Sequence, residues 1–431
     1  MKSKFSVLSL LPLVLFATST SFATSLADKA ASENVAESAA AIEELRSLGP
    51  AGLNELMKRY ADEIKKHIDD PTLKPDAEWQ RITKALDAVS GQKNSYVSGL
   101  YWYTDLKEAQ KVAVQSNKPI LSLRLLGRLT DELSCANSRF FRTVLYSNAE
   151  IASVLRDRFV LHWQSERPAP IVTIDFGDGR KLQRTITGNS IHYVLDSAGL
   201  PIEAFPGLYG SQAFLRNLVE SETLFKSLAD KNGQNRDFAL RGHYIVSNNK
   251  ISLAWYTDIA KTGGKLPEGF SVAVGPNGEI TAINITSLAI TKAAIETNIL
   301  RSMTRTSEAL KRITDETAWR TIAALHARDA ILDSRSIALI KRQNPSLSDK
   351  EFAAMLQKFQ ASLALDTVRN QYLMRPKLYA WLSQDPSRND LEKFNEKVYA
   401  ELFLTPRSDA WLGLLDKDAY TAIDNGGVSK N

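Results

Sequence analysis

A chain of 431 residues with a single cysteine, Cys135, cannot brace itself with an internal disulfide. The constraint bites because the first residues point to export. Lys2 and Lys4 precede an apolar stretch from Phe5 to Ala17 that is short for a membrane span. Ser21-Phe22-Ala23 then sets small residues at the −3 and −1 positions of a cleavage site. Residues 1–23 therefore read as a signal peptide, with Ser25-Leu26-Ala27 as a second possible cleavage site, and a bacterial periplasm is the expected location. No cysteine follows to take a lipid anchor, and no later run of about 18 apolar residues exists. The cleaved chain is thus expected to be soluble, with no membrane partner. In an oxidising compartment without a disulfide, stability must come from the core, and the roughly 400 remaining residues suffice for two or three domains. Loss of Lys2 and Lys4 lowers the formal charge from +5 to +3. That is nearly neutral for this length, and no nucleic-acid partner is expected.

The pattern then divides the chain. Residues 24–97 read as a helical segment. Ala39 to Leu48 and Leu53 to His67 carry apolar residues at three- and four-residue spacing, Gly49-Pro50 separates them, and Ala77 to Val89 makes a third helix. In 98–228 the elements alternate. Thr104-Asp105 starts a helix that runs to Gln115, and Ile120 to Leu126 is a nearly continuous apolar run of buried-strand type, interrupted by Ser122 and Arg124. A loop leads to Cys135 and a helix from Ala136 to Leu145. A helical turn or two follows over Asn148 to Arg156, then a strand from Phe159 to Trp163. Ile171 to Phe176 and Lys181 to Ile186 flank Gly177-Asp178-Gly179 as a hairpin. Ile191 to Leu195 and Ile202 to Phe205 are further strands, and Gly210 to Leu228 a long amphipathic helix. Residues 229–431 read as mainly helical: Ile245 to Asn284, with turns at Gly263-Gly264, Gly275-Pro276 and Asn277-Gly278, has room for a small hairpin, and from Ser287 onward the reading is helical, with a helix face shared by Trp319, Ile322, Ala323 and His326.

Several residues in the middle segment carry a resemblance. Lys118-Pro119-Ile120-Leu121 leads into a strand, Cys135-Ala136-Asn137-Ser138 stands at a helix start, and Ser147-Asn148-Ala149-Glu150-Ile151 precedes Phe159-Val160. Gly188-Asn189-Ser190-Ile191-His192 is followed, past Gly199, by Pro201-Ile202. Together these stretches resemble the thioredoxin-like superfamily, over about residues 98–228, with Cys-x-x-Ser in place of Cys-x-x-Cys. The resemblance implies an α/β domain with a central mixed sheet flanked by helices, a nucleophile at Cys135, and Gly188-Asn189-Ser190 as the loop facing it. The family's cis-proline is here Ser190. A non-proline cis bond costs roughly 3 kcal/mol, so a trans bond is expected.

A thiol in the first turn of a helix meets unpaired N–H groups that favour the thiolate. Arg139 is expected to add positive charge, and Asp131 and Glu132 to oppose it. Ser138 cannot resolve a mixed disulfide, so a dithiol cycle is closed to this chain acting alone. What remains is monothiol chemistry: a mixed disulfide with a protein or small-thiol partner, or reversible oxidation. On that expectation Cys135 is solvent-accessible, Ser138 donates to its thiolate, and Asn189, Ser190 and Arg139 hold the substrate. The other expectation is a non-catalytic periplasmic binding or scaffold protein that keeps the fold without a redox cycle, with Cys135 a small buried side chain.

Elsewhere the signals are weaker. No two of His67, His162, His192, His243 and His326 share metal-ligand spacing, and His162 and His192, on core strands, are the two that a fold could bring to each other or to Cys135. Asp175-Phe176-Gly177-Asp178-Gly179 reads as a turn rather than a calcium loop. No P-loop, dinucleotide fingerprint or nucleophile elbow occurs, so no cofactor or metal is expected. Tyr101-Trp102-Tyr103 reads as an anchor between the helical segment and the α/β core, with a ligand platform as its second reading.

Overall fold

The computed structural model describes residues 25–185, 188–264, 270–274, 280–285, 310–312 and 314–412, and a few isolated positions beyond. The expected signal peptide, the turns Gly275-Pro276 and Asn277-Gly278, and the expected helical start at Ser287 lie outside these. None of the described helices is long and apolar enough to cross a membrane. The architecture is mixed α/β, with a four-stranded mixed sheet among many helices.

The N-terminal helices stop and start where their caps dictate. Ser25 and Asp28 form a reciprocal capping box on Leu26–Ala30, so the second candidate cleavage site sits inside a folded helix whose Ala27 and Ala30 are buried. Asn34 caps Val35–Ser47, Gly49 takes a positive φ, and Pro50 opens Pro50–Arg59. The helix expected from Leu53 to His67 is two helices, broken at Tyr60 and resumed as Ala61–Asp69. Asp76 caps Ala77–Ser90, and Gly91 ends it in the left-handed region. Leu45, Leu56, Leu86 and Val89 are fully buried between these helices.

Tyr101-Trp102-Tyr103 fastens this unit to the sheet. Trp102 is fully buried and donates from its indole to Gln92, while the Tyr101 hydroxyl reaches the Arg46 carbonyl. Tyr103 exchanges backbone bonds with Leu161 and Trp163, adding a single bridge to the outermost strand.

The sheet comprises β1 (Ile120–Leu126), β2 (Val160–Arg167), β5 (Ile191–Leu195) and β6 (Pro201–Pro206), in the order β2-β1-β5-β6. β1 and β2 are parallel, and β5 runs antiparallel to both of its neighbours. Between β2 and β5 a separate hairpin pairs β3 (Ile171–Asp175) with β4 (Lys181–Thr185). Its turn accounts for the acidic cluster: Asp175 accepts from the Gly177 N–H, and Asp178 pairs with Arg180.

Register parity decides where the core histidines go. Ser122 faces His162 across β1 and β2, and Leu123 faces His192 across β1 and β5. Successive residues of β1 point to opposite faces, so the two imidazoles lie on opposite sides of the sheet and do not meet. On one face the Tyr193 hydroxyl donates to Asn395 of the helix Leu391–Lys397. On the other, His192 packs on Phe141 and on Phe214 of the helix Ser211–Ser227.

The hairpin given room between Ile245 and Asn284 lies at the end of that range, pairing β7 (Phe270–Val274) with β8 (Ile280–Ile285), while its first residues belong to one long helix, Gly233–Lys261. The buried apolar cluster runs without a break from Leu100 through the sheet to Tyr399, so the C-terminal helices share the core of the sheet.

Candidate functional site

The chain leaves β1 through Gly127, whose positive φ allows the turn and whose N–H bonds the Arg167 carbonyl at the end of β2. The loop returns at Cys135, whose N–H donates to the Leu126 carbonyl (3.1 Å), pinning the cysteine to the last residue of β1. Cys135 caps a five-residue helix, Ala136–Phe140, and a π-turn, Phe141–Leu145, replaces the rest of the helix expected to run to Leu145. Arg142 is buried and spreads its guanidinium over the carbonyls of Leu129, Asp131 and Glu132, so it holds the loop rather than the thiol.

Cys135 is 0% exposed, against the expectation of an accessible thiol. Ser138 is also fully buried, and its hydroxyl lies against Ser134 Oγ (2.6 Å) and the Cys135 carbonyl (2.9 Å). A serine in a first helical turn folds back on the backbone, so the expected donation to the thiolate is not made. Arg139 is half-buried, and its side chain makes no hydrogen bond or ion pair among the described residues. Its charge is felt by Glu132 and Arg142.

The loop at 188–190 does lie beside the Cys-x-x-Ser turn: a Cβ on Gly188 would stand 2.9 Å from the Asn137 side-chain oxygen. Every described peptide bond is trans, that before Ser190 included. Ser190 is fully buried, and its hydroxyl has no partner among the described residues. Asn189 is engaged from above: its amide donates to Thr405 Oγ1 (2.9 Å), and its carbonyl accepts from the Tyr399 hydroxyl (3.3 Å). The remaining expected substrate-holding group, Arg139, is not drawn into this contact.

The cover is the chain's own C-terminal stretch from Val398 to Leu412. Arg167 clips it down, donating to the carbonyls of Thr405 (2.8 Å), Asp409 (3.2 Å) and Pro406 (3.4 Å). Arg407 pairs with Glu166 (3.1 Å). This strap is tied to the end of β2 and to the 188–190 loop, and Tyr399 near its start is close enough to Cys135 to feel the charge of its thiolate. No signal in the sequence links positions 398–412 to Cys135.

Beneath the thiol the surroundings are buried and neutral. The Tyr146 hydroxyl meets His192 Nε2 at 2.6 Å, and burial holds His192 down at about 3. Burial first, and then the charge of Cys135, push the Tyr146 phenol well above its usual range. Tyr399 is raised by burial, by Glu166 and by Cys135. On the opposite face, His162 Nδ1 meets Ser122 Oγ (2.9 Å), and burial with Arg124 nearby holds this imidazole at about 3. Among the described residues no group of three or more His, Cys, Asp or Glu side chains could hold a metal ion.

The polar positions of β1 mark a buried ion cluster. Arg124, with no exposed side-chain surface, bonds Glu392 (2.7 and 3.2 Å) and Glu166 (3.2 Å). Its break in the apolar run was visible in the sequence; its partner in the helix Leu391–Lys397 was not.

Comparison of the chain with family models, with curated proteins and with solved structures finds no match in any of the three.

Proposed function

We propose that this is an exported, thioredoxin-like binding or scaffold protein in which the redox position has been turned into core. The strand order β2-β1-β5-β6, with β5 antiparallel to its neighbours, supports the fold reading, as does the approach of Gly188 to the Cys-x-x-Ser turn. A capped helix beginning at Leu26 supports cleavage after Ala23 rather than after Ala27. The observation that carries the functional reading is the complete burial of Cys135, with the strap tied to the loop expected to face it. Attack on a disulfide needs a thiolate within reach of its partner, and a residue with no exposed surface offers none. The monothiol alternative requires the strap to leave.

The test is direct. The folded protein is incubated with glutathione disulfide and weighed by mass spectrometry, beside a sample unfolded in urea. The unfolded chain is expected to take up one glutathione and the folded chain none over the same period. A mixed disulfide that forms on the folded protein faster than it unfolds would overturn the reading and restore monothiol chemistry.

A further inference from the structure

At the opposite end of β1 and β2 from Cys135 lies a cleft of about 200 Å³, where the N-terminal helices meet the start of the sheet. Its position follows from the register: Lys118 and Val160 line it beside the first β1–β2 pair, whereas Cys135 is bonded to Leu126 in the last. The volume is far above the roughly 10–15 Å³ needed for one water and below the roughly 300–1,000 Å³ of drug-sized sites, so it suits a small organic molecule. The walls are apolar, from Leu53, Val112, Phe159 and Leu161, with Tyr101 and Tyr103 set edge-to-face at 5.0 Å along one side.

The charges in this cleft are of one sign. Lys118 and Arg156 line it, and no Asp or Glu does. Lys118 is half-buried, its N–H bonds the Ala113 carbonyl, and its side chain makes no hydrogen bond or ion pair among the described residues. Arg156 gives one N–H to the Ser98 carbonyl (3.2 Å) and stands 3.9 Å from Asp157, leaving most of its fork unused. Two cations over an apolar floor, with no carboxylate between them, form a complement to one chemical class.

We propose that this cleft binds a small carboxylate with a flat apolar body, its carboxylate between Lys118 and Arg156 and its body on the wall formed by Leu161 and the two tyrosines. This goes beyond the binding reading above by naming a site and a ligand class. Failure here leaves the glutathione test of Cys135 untouched, and the reverse also holds. Both cations sit at the seam between the N-terminal helices and the sheet, so occupancy should also hold that seam together.

The purified protein is titrated with 4-phenylbutyrate, with its neutral isostere 4-phenylbutanamide, and with acetate, followed by ligand-observed NMR and by the melting temperature. A ligand of about twelve non-hydrogen atoms is expected to bind at about 1 mM or tighter. The amide should bind about tenfold more weakly, as loss of a charged hydrogen bond predicts, and acetate should not saturate. Lys118→Gln and Arg156→Gln should each weaken phenylbutyrate about tenfold while leaving the amide unchanged. Unaltered melting temperatures of the free variants will show that they fold. Three results would overturn the proposal: equal affinity for acid and amide, undiminished binding by both folded variants, or no saturation by phenylbutyrate at about 10 mM.

Discussion

If the strap is what hides Cys135, loosening its clip must expose the thiol without unfolding the protein, and Arg167→Met is the cleanest way to ask. The substitution keeps the aliphatic stem and removes the guanidinium that holds the carbonyls of Thr405, Pro406 and Asp409. Hydrogen bonds to a charged group contribute about 1.5–3 kcal/mol in favourable settings. Arg167 is half-buried and the freed carbonyls regain water, so the net loss should be about 2 kcal/mol. At about 1.4 kcal/mol per decade, the open population rises roughly 30-fold. The Asn189–Thr405 bond, the buried Tyr399 and the Arg407–Glu166 pair remain, so the strap stays mostly closed. The assay is the rate of Cys135 alkylation by iodoacetamide at low urea, with the urea dependence of that rate. Labelling through strap opening exposes little surface and should change shallowly with urea, whereas labelling through global unfolding follows the full slope. Wild-type protein should label slowly and the variant about 30-fold faster, both with the shallow slope. An unchanged rate, or one that follows the full global slope in both proteins, would refute the argument that residues 398–412 seal the site.

Other substitutions test the scaffold. Arg124→Leu leaves Glu166, whose side chain is only 5% exposed, with Arg407 as its remaining cation, while Glu392 is half in solvent. The loss in urea-derived stability should be about 3 kcal/mol, the low end for a broken buried pair, and Arg124→Leu with Glu166→Leu should recover most of it. No recovery in the double variant would show that the cluster is not a charge-balance unit. Gly52→Ala would drive a Cβ into the Leu45 carbonyl, where two N-terminal helices touch. It should cost at least about 2 kcal/mol by thermal or urea unfolding, and a neutral result would mean that the helices are set further apart. His326 is raised to about 9, chiefly by its bond to Asp258 and then by Asp329. A raised imidazole stabilises fully below its unfolded value of about 6.5 and stops doing so as pH rises through about 9. With 31% of the side chain in solvent, the full shift must be discounted, to about 1–2 kcal/mol between pH 6 and 10. His326→Gln should flatten that part of the urea-midpoint profile, and parallel profiles would contradict the assignment.

What could be read from the sequence was local. Ile120 to Leu126 announces itself as a buried strand because both of its faces are covered, and its two polar positions, Ser122 and Arg124, share one face of the sheet. The turns at Gly49-Pro50 and Gly177-Asp178-Gly179 follow from backbone geometry that few other residues accept. What escaped depended on partners far along the chain. Arg124 meets Glu392, and Asn189 meets Thr405, across separations that no periodicity encodes. The histidine question turned on strand register, since one residue of slip would have changed the face each imidazole occupies. The helix Gly233–Lys261 escaped for another reason: its buried positions, among them Asn248 and Asp258, are partly polar, so the apolar stripe is broken.

On the proposed export to an oxidising compartment, the two ends of the β1–β2 pair divide the burdens of a lone thiol. An exposed single cysteine there has no intramolecular partner, and its available reactions are with other molecules. Covering the thiol removes that liability, but it also closes the end of the sheet at which a thioredoxin-like protein would be expected to engage a partner. On the binding reading proposed above, recognition then falls to another part of the molecule. The open concavity at the other end is lined by Tyr101, Tyr103, Lys118 and Arg156. Of these, Tyr101 and Tyr103 belong to the segment that fastens the N-terminal helices to β2. Ligand binding at that seam would therefore be felt by both units, whereas at the Cys135 end the strap would first have to be displaced.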